Sequence, residues 1–273
     1  MTQKHKISIL LPSRGRIEAL EKSLTSLLDT ANDAKNIEIL LALDRDDTAV
    51  IDFSKTTLKN RLRNEYQCGL VIVTFNPIGY IRLNEYLNVL ANISQGDWLM
   101  FYNDDAVMET QGWDTEILKH TGKFSVLRTE TTNQHPYAIF PIVPRQWIEV
   151  NGHLSPHQIN DAWISHIAYL LDIMVNIPVL IKHDRFDLTG NNFDNTYKNR
   201  PMLEGNPNDP KDFNHITWRE KRLEEASKFC HYIEKTENRI CSWFRDGIAG
   251  KIDIWEKMYQ ADVKNRLTKI THQ

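Results

Sequence analysis

The first hundred residues alternate between two kinds of hydrophobic pattern. Runs dominated by apolar residues occur at Ile7–Pro12 (ISILLP), Ile37–Asp44 (IEILLALD), Leu70–Phe75 (LVIVTF) and Asp97–Tyr102 (DWLMFY). Runs this short, closed by turn or polar residues, predict strands buried on both faces of a parallel sheet. Other stretches space their apolar residues three and four apart. Residues 17–29 (IEALEKSLTSLLD) put Ile17, Leu20, Leu24, Leu27 and Leu28 on one face. Residues 81–93 (IRLNEYLNVLANI) repeat the spacing through Ile81, Leu83, Leu87, Leu90 and Ile93. Both patterns predict amphipathic helices. Strand, helix, strand, strand, helix, strand with short connections predicts an α/β fold, a mostly parallel Rossmann-like sheet flanked by helices.

The second half is less regular. Ala138–Pro144 and Ile177–His183 read as strands, QWIEVNG and Asp161–Asp172 as helices. The stretch Ala162–Ile181 has the length of a membrane span but contains His166, Asp172, Asn176 and Pro178, so a buried helix running into a strand is expected instead. Residues 184–214, rich in Asn, Asp, Gly and Pro, predict a long loop or lid. From about residue 215 two helical stripes follow, one through Leu223, Ala226, Cys230, Ile233, Ile240 and Phe244, the other through Ile252, Trp255, Tyr259, Val263 and Leu267. They suit core contacts or a homodimer interface. The expected division is an α/β domain over 1–190, a loop or lid over 191–214 and a helical C-terminal extension over 215–273.

Composition narrows this picture only modestly. With 33 basic and 36 acidic residues the formal net charge is -3, which supplies no global attraction to nucleic acid or anionic membrane. Cys68, Cys230 and Cys241 show no CxxC spacing, so neither a disulfide framework nor a zinc ribbon is expected, and a reducing cytoplasm fits. The opening MTQKHKISILLPSRGR lacks the long apolar stretch of a signal peptide.

Ligands of open α/β sheets sit at the carboxyl ends of the strands. That rule selects Pro12–Arg16, Asp44–Asp47 and Asn103–Asp105 as one converging cleft. Asn103-Asp104-Asp105 directly follows an apolar strand, where unpaired buried carboxylates are costly. Adjacent carboxylates suit a hard divalent cation such as Mg²⁺ or Mn²⁺, although an Asx-type turn explains the tripeptide equally well. Arg14, Arg16, Arg45 and Arg82 stand beside strand ends or helix starts, where oxyanions bind. His153 and His157 have H-x₃-H spacing, but Pro156 breaks the helix that would align them on zinc. Trp113 and Trp163 fit either a cleft or the core.

Four segments, ISILLPSRGR, ILLALDRDD, FYNDDAVME and FPIVPRQWIEVNGHLSPHQINDAW, occur in the order and spacing of the family-2 glycosyltransferases, and over residues 6–190 the chain resembles that family, whose nucleotide-sugar-binding fold is called GT-A. The resemblance implies a metal-dependent enzyme moving a hexosyl or pentosyl group from a nucleoside-diphosphate donor, expected to be a UDP-sugar, to an acceptor hydroxyl with inversion. It places Pro12, Ser13, Arg14 and Arg16 at the nucleotide and phosphate pocket, Asp44 at the base, and Arg82 and Asn84 at the donor phosphates or sugar. Asp105 matches the metal ligand of the DxD-type motif, Asp104 the residue flanking the sugar or ribose, and Asn103 replaces the usual first acid. Asp161 stands where inverting members carry the base, a helix N-cap being its alternative, and His183 where a histidine completes the metal site. The SRGR and HDRFDLTG stretches are also similar to bacteriophage glycosyltransferases, some of which modify hydroxymethylated DNA bases. For such an acceptor Lys55, Lys59, Arg61 and Arg63, or the lysines and arginines of the C-terminal helices, are the phosphate-contact candidates. A nucleotidyltransferase and a catalytically silent sugar- or partner-binding module stay open as alternatives.

Overall fold

The computed structural model describes residues 6–132, 135–184, 204, 206–241 and 248–271. The apolar runs form the strands β1 (Ile7–Ser13), β2 (Ile37–Asp44), β3 (Gly69–Phe75) and β4 (Trp98–Phe101). Between them pack the helices α1 (Ile17–Asp29), α2 (Thr48–Phe53), α3 (Lys59–Arg61) and α4 (Leu83–Ile93). Two π-helical stretches, Ser54–Leu58 and Leu62–Tyr66, make α2 and α3 part of one helical segment running to Tyr66. Reading the sequence as two strands in direct succession misses this segment. A helix therefore separates every pair of successive parallel strands.

The second half adds β5 (Ala106–Met108), α5 (Trp113–Leu118), β6 (Val126–Thr131), β7 (Ile142–Pro144), α6 (Gln146–Asn151), α7 (Asn160–Leu170) and β8 (Met174–His183). The strand expected over Ala138–Pro144 shrinks to β7, while β8 begins three residues before Ile177. All eight strands join one sheet in the order β3-β2-β1-β4-β7-β6-β8-β5. Strands β3, β2, β1 and β4 run parallel, β7 reverses, and β8 is parallel to β6 and antiparallel to β5. Residues Ile7, Ile9, Leu10 and Leu11 of β1 and all of β2 are buried, so helices cover both faces, as an uninterrupted apolar run requires. In α1 the buried face is Leu20, Leu24, Leu27 and Leu28. In α4 it is Tyr86, Leu87 and Leu90, while Ile81 and Ile93 are exposed because one precedes the helix in a 3₁₀ turn and the other ends it.

At the amino ends of the parallel strands the buried Glu38 carboxylate accepts from Ser8 Oγ and from the Gly96 amide at 3.1 Å. Arg145 closes the same corner, donating to Gly96 O at 2.6 and 2.9 Å and to Ser94 Oγ at 2.9 Å. A Cβ on Gly96 would lie 2.5 Å from Ser8 Oγ and 2.7 Å from Ser8 N. Because Ser8 N belongs to the β1 backbone, it cannot move aside. Gly96→Ala is expected to cost at least the roughly 1–3 kcal/mol of an overpacked core. Urea unfolding measures this, and an unchanged midpoint would show that the corner can relax.

The C-terminal region forms α8 (Ile216–Glu237) and α9 (Ile248–Thr271). Helix α8 packs on α6 and α7, and α9 on α7. Ala226, Cys230 and Ile233 of the first stripe, and Trp255, Tyr259 and Val263 of the second, are buried inside this chain. Ile240 departs from the stripe, since α8 stops at a left-handed Asn238 and Ile240 is exposed. Phe244 and the Leu267 side chain lie outside the described residues. Arg222 is buried where α8 meets α7: it donates to His166 Nδ1 at 2.7 Å and to Phe213 O at 2.9 Å, with its guanidinium 4.1 Å from the Phe213 ring centre. Burial lowers the Arg222 pKa to about 9 and holds His166 well below its usual value, which leaves the imidazole neutral and able to accept. Among the described residues no helix is long and apolar enough to cross a membrane.

Candidate active site

Strands β1, β2 and β4 end together because they are parallel and in register, with Leu10 opposite Leu40 on one side and Phe101 on the other. The strand order reverses between β1 and β4, and a topological switch point of this kind opens a crevice at the carboxyl edge. A cavity of about 830 Å³ lies there. Of the residues expected to bind donor or metal, Pro12, Ser13, Arg14, Arg16 and Asp44 line it from β1 and β2, and Asn103, Asp104, Asp105 and His183 from the ends of β4 and β8. Asp161, from the first turn of α7, lines the same cavity.

Two expected donor residues do not line the cavity, although their neighbours Ile81 and Leu83 do. Arg82 ends the 3₁₀ turn before α4, and its half-exposed side chain pairs with Glu85 one turn on. Asn84 donates to Pro156 O at 3.0 Å, tying α4 to the turn before α7. Trp113 and Trp163 are fully buried, with indole N–H groups on Leu27 O and Glu225 Oε2 at 2.9 Å, so both are core. His153 contacts Glu225 at 2.9 Å and His157 contacts Lys211 O at 3.2 Å, so the H-x₃-H pair diverges. Lys55, Lys59 and Arg63 are exposed on the 48–66 helical segment, and Arg61 pairs with Glu21 and Glu65. None of the four lines the cavity. Most of the expected 184–214 lid, residues 185–203 and 205, lies outside the described residues.

Asp44 and Asp104 are each anchored by two side chains. Asp44 receives the Tyr86 hydroxyl on one oxygen and Arg14 Nη1 on the other at 2.6 Å. Arg14 also holds Asp46 through both guanidinium nitrogens at 2.6 and 2.7 Å. Burial and the Asp44 contact push the Tyr86 hydroxyl up to about 12, so it stays protonated and donates. Asp104 accepts from Ser13 Oγ at 2.8 Å and from Arg16 at 3.0 Å. Burial nevertheless pushes its carboxyl up to about 6, Arg16 pulling down and neighbouring Asp105 adding to the rise. Asp46 falls within the expected Asp44–Asp47 stretch, whereas Tyr86 was not legible as a site residue, because it acts only where α4 meets the β2 end. The turn that carries the chain from β3 into α4 needs Gly79: its φ of 76° and ψ of 174° fall in a region essentially reserved for glycine.

Asp105 and His183 are brought together by the sheet itself. Antiparallel pairing sets Ala106 opposite His183, and the Asp184 amide donates to Asp105 O at 2.9 Å. His183 Nε2 consequently lies 3.2 Å from Asp105 Oδ1. Two ligands of one octahedral ion with bonds of about 2.1 Å stand roughly 3 Å apart, so this pair fits a hard divalent cation, and the imidazole tilts the donor set toward Mn²⁺. His183 Nδ1 is buried and has no hydrogen-bond partner among the described residues. The Asn103 amide is 3.5 Å from His183 Nε2. Among the described residues no group of three or more His, Cys, Asp or Glu side chains forms a metal cluster. An ion here would complete its shell with diphosphate oxygens and water, the usual habit of Mg²⁺-type sites.

Asp161 is the second residue of α7, whose N-cap position is Ile159, with no side-chain cap. The N-cap alternative for Asp161 therefore does not describe this helix. Its Oδ1 accepts from the adjacent Ala162 amide at 2.9 Å.

An open α/β sheet with a carboxylate-rich cavity at its switch point belongs to the class of folds that bind ligands at that edge. Comparison with solved structures specifies it further. Residues 1–349 of S. aureus TarS, in complex with UDP-GlcNAc, align over 93% of this chain and 71% of that one, with a TM-score of 0.56 and 14% identity. The mannosyltransferase PcManGT from Pyrobaculum calidifontis, in complex with GDP-Man and Mn²⁺, aligns over 98% of this chain and 86% of that one, with a TM-score of 0.55 and 11% identity. Against the UDP complex of the same TarS fragment the chain spans only 60% of that chain's length. The fold is thus the GT-A glycosyltransferase fold expected from the sequence. No protein-family profile and no curated sequence matches the chain.

Proposed function

We propose that this protein is a metal-dependent glycosyltransferase that uses a nucleoside-diphosphate sugar, read here as a UDP-sugar, and transfers the sugar to an acceptor hydroxyl with inversion. One observation carries the reading: Asp44, the Asp104–Arg16 pair, the Asp105–His183 pair and Asp161 all face one cavity at the switch point. The nucleotide-sugar complexes of TarS and PcManGT, which share the fold, support it.

Each residue then has a role that its chemistry allows. Asp44, held by Tyr86 and Arg14, accepts from a base N–H. Uracil N3–H and guanine N1–H offer one from the ring, whereas adenine and cytosine offer only an exocyclic amino N–H beside a ring acceptor that would face the carboxylate. Arg16 presents its guanidinium to the donor phosphates, and Ser13 and Arg16 keep Asp104 fixed for ribose or sugar hydroxyls. Asp105 and His183 would hold a divalent ion, which would supply Lewis-acid stabilisation of the diphosphate leaving group. Asp161 takes the proton from the acceptor hydroxyl as its oxygen bonds to the anomeric carbon. The bond from that carbon to the diphosphate breaks on the opposite face, and its electron pair leaves with the diphosphate. Incubation with UDP-glucose, UDP-GlcNAc and GDP-mannose, with Mn²⁺ or EDTA, tests the reading. Metal-dependent release of one nucleoside diphosphate is expected, whereas intact donors throughout would favour the silent binding module.

A further inference from the structure

Cys230 and Cys241 stand eleven positions apart in the sequence, with no motif to join them. The fold joins them. Helix α8 carries Cys230 on its buried face and ends at Asn238, whose left-handed φ of 50° turns the chain back. Beyond that turn Arg239 donates to Phe124 O at 3.0 Å, and Glu237 accepts from the Phe124 amide. The returning chain is thereby pinned against Phe124, just before β6. Cys241 comes back onto Cys230, and the two thiols are in hydrogen-bond contact. Cys230 is fully buried and Cys241 is 2% exposed.

Both residues are thiols. A thiol is a weak donor and a weak acceptor, so their contact adds little to packing. It does meet the first geometric demand of a disulfide, that the two side chains point at each other. Burial raises the Cys241 thiol above its usual value, while the Cys230 contact and Arg239 pull against it. Cys241 also follows Ile240, which is 57% exposed, just past a helix end, where local opening costs least. Cys68 offers an internal comparison. It donates to Ile37 O at 3.1 Å, and burial, aided by Glu38, pushes its thiol up to about 12.

We propose that Cys230 and Cys241 form a dithiol–disulfide pair, a redox modification site that staples the end of α8 to the chain leading into α9. The co-reactant is a small-molecule disulfide such as glutathione disulfide. Cys241 loses its proton and its sulfur bonds to one sulfur of the reagent, whose other sulfur leaves as a thiolate and takes up a proton. Cys230, deprotonated in turn, bonds to the Cys241 sulfur and displaces the second thiol. The protein gives up two electrons and two protons, and the reagent becomes two thiols. The ring so closed runs through Glu237 and Arg239 and fixes their hold on Phe124, whose ring centre lies 5.3 Å from Phe229 and 5.4 Å from Tyr232. Helix α9 follows in the chain, and its Trp255 and Tyr259 rings stand 6.1 and 5.8 Å from Tyr137 of the cavity wall. Neither thiol lines the cavity, so the pair stands independently of the glycosyltransferase reading.

The test equilibrates the intact chain with glutathione and glutathione disulfide at ratios from reducing to oxidising. Samples are quenched in acid, alkylated with N-ethylmaleimide in denaturant and weighed by mass spectrometry. At oxidising ratios the expected product is two hydrogens lighter and takes one maleimide instead of three. Its digest should contain a Cys230–Cys241 peptide pair that dithiothreitol separates. The thermal midpoint should rise by about 5 °C, the effect of closing a loop of roughly a dozen residues in a chain of this size. Cys241→Ser should show neither the bond nor the rise, and Cys230→Ala repeats the readout if the serine variant does not fold. Three alkylated thiols at every ratio, a stable glutathione adduct in place of the bond, a bond to Cys68, or a midpoint that the bond leaves unchanged or lowers would overturn the proposal.

Discussion

Asp161→Asn is expected to lower sugar transfer by about 10²- to 10⁴-fold, the usual contribution of a positioned general base, and to leave donor affinity unchanged. The substitution keeps the shape and removes the basic oxygen. Asp161 sits in the first turn of α7, with its carboxylate on the Ala162 amide, and an Asn carbonyl can keep that hydrogen bond. Folding should therefore be unaffected, and unfolding midpoints check this. The informative comparison is kcat against donor Kd under saturating donor and metal. A variant that turns over normally removes Asp161 from the mechanism. One that loses donor binding as well would place Asp161 on the donor rather than the acceptor.

Asp105→Asn is expected to have the opposite signature, a large loss of donor affinity that appears only with metal present. Loss of even an outer-shell partner commonly costs about 10–100-fold in metal affinity, and Asp105 supplies the carboxylate itself. The effect should be at least that large in the Mn²⁺-dependent part of donor binding, with little change in the metal-free part. His183→Ala should act in the same direction. Because His183 Nε2 and Asp105 Oδ1 are 3.2 Å apart and would share one ion, the two substitutions together should cost much less than the sum of their separate effects. Calorimetric titration of UDP into the four proteins, with and without Mn²⁺, gives the comparison. Additive losses, or losses equally large in EDTA, would separate the pair from metal binding.

Strands β1, β2 and β4 were readable because both of their faces are buried: ISILLP and IEILLALD have few polar residues to confuse the period, whereas the apolar run of β3 lies only half-buried at the sheet edge. The 48–66 helical segment escaped notice for the reverse reason. Its buried residues, Val50, Ile51, Ser54, Leu58 and Leu62, are separated by Thr, Lys and Asn, and two π-helical stretches shift the spacing away from 3.6 residues. Strand β5, three residues long, carries too little pattern to be seen, yet its pairing with β8 sets His183 beside Asp105. Asn103-Asp104-Asp105 was legible because polar residues ending an apolar strand stand at the carboxyl edge of the sheet. Tyr86 was not, since its place depends on a helix crossing a strand end. Arg82 and Asn84 show the limit from the other side. A helix start near the donor pocket was foreseeable, but the direction of each side chain is decided by its nearest partner, Glu85 in one case and the Pro156 carbonyl in the other.

The central claim, a nucleotide-sugar site completed by a divalent ion, is tested most directly by thermal unfolding with UDP, GDP, ADP and CDP, each with Mn²⁺ and with EDTA. A ligand that binds only the folded state raises the midpoint by mass action, by about 2.7 kcal/mol of stability at a hundredfold excess over Kd. UDP should raise the midpoint strongly with Mn²⁺ and weakly in EDTA, with ADP and CDP ineffective. An unchanged midpoint with every nucleotide in the presence of Mn²⁺ would contradict it.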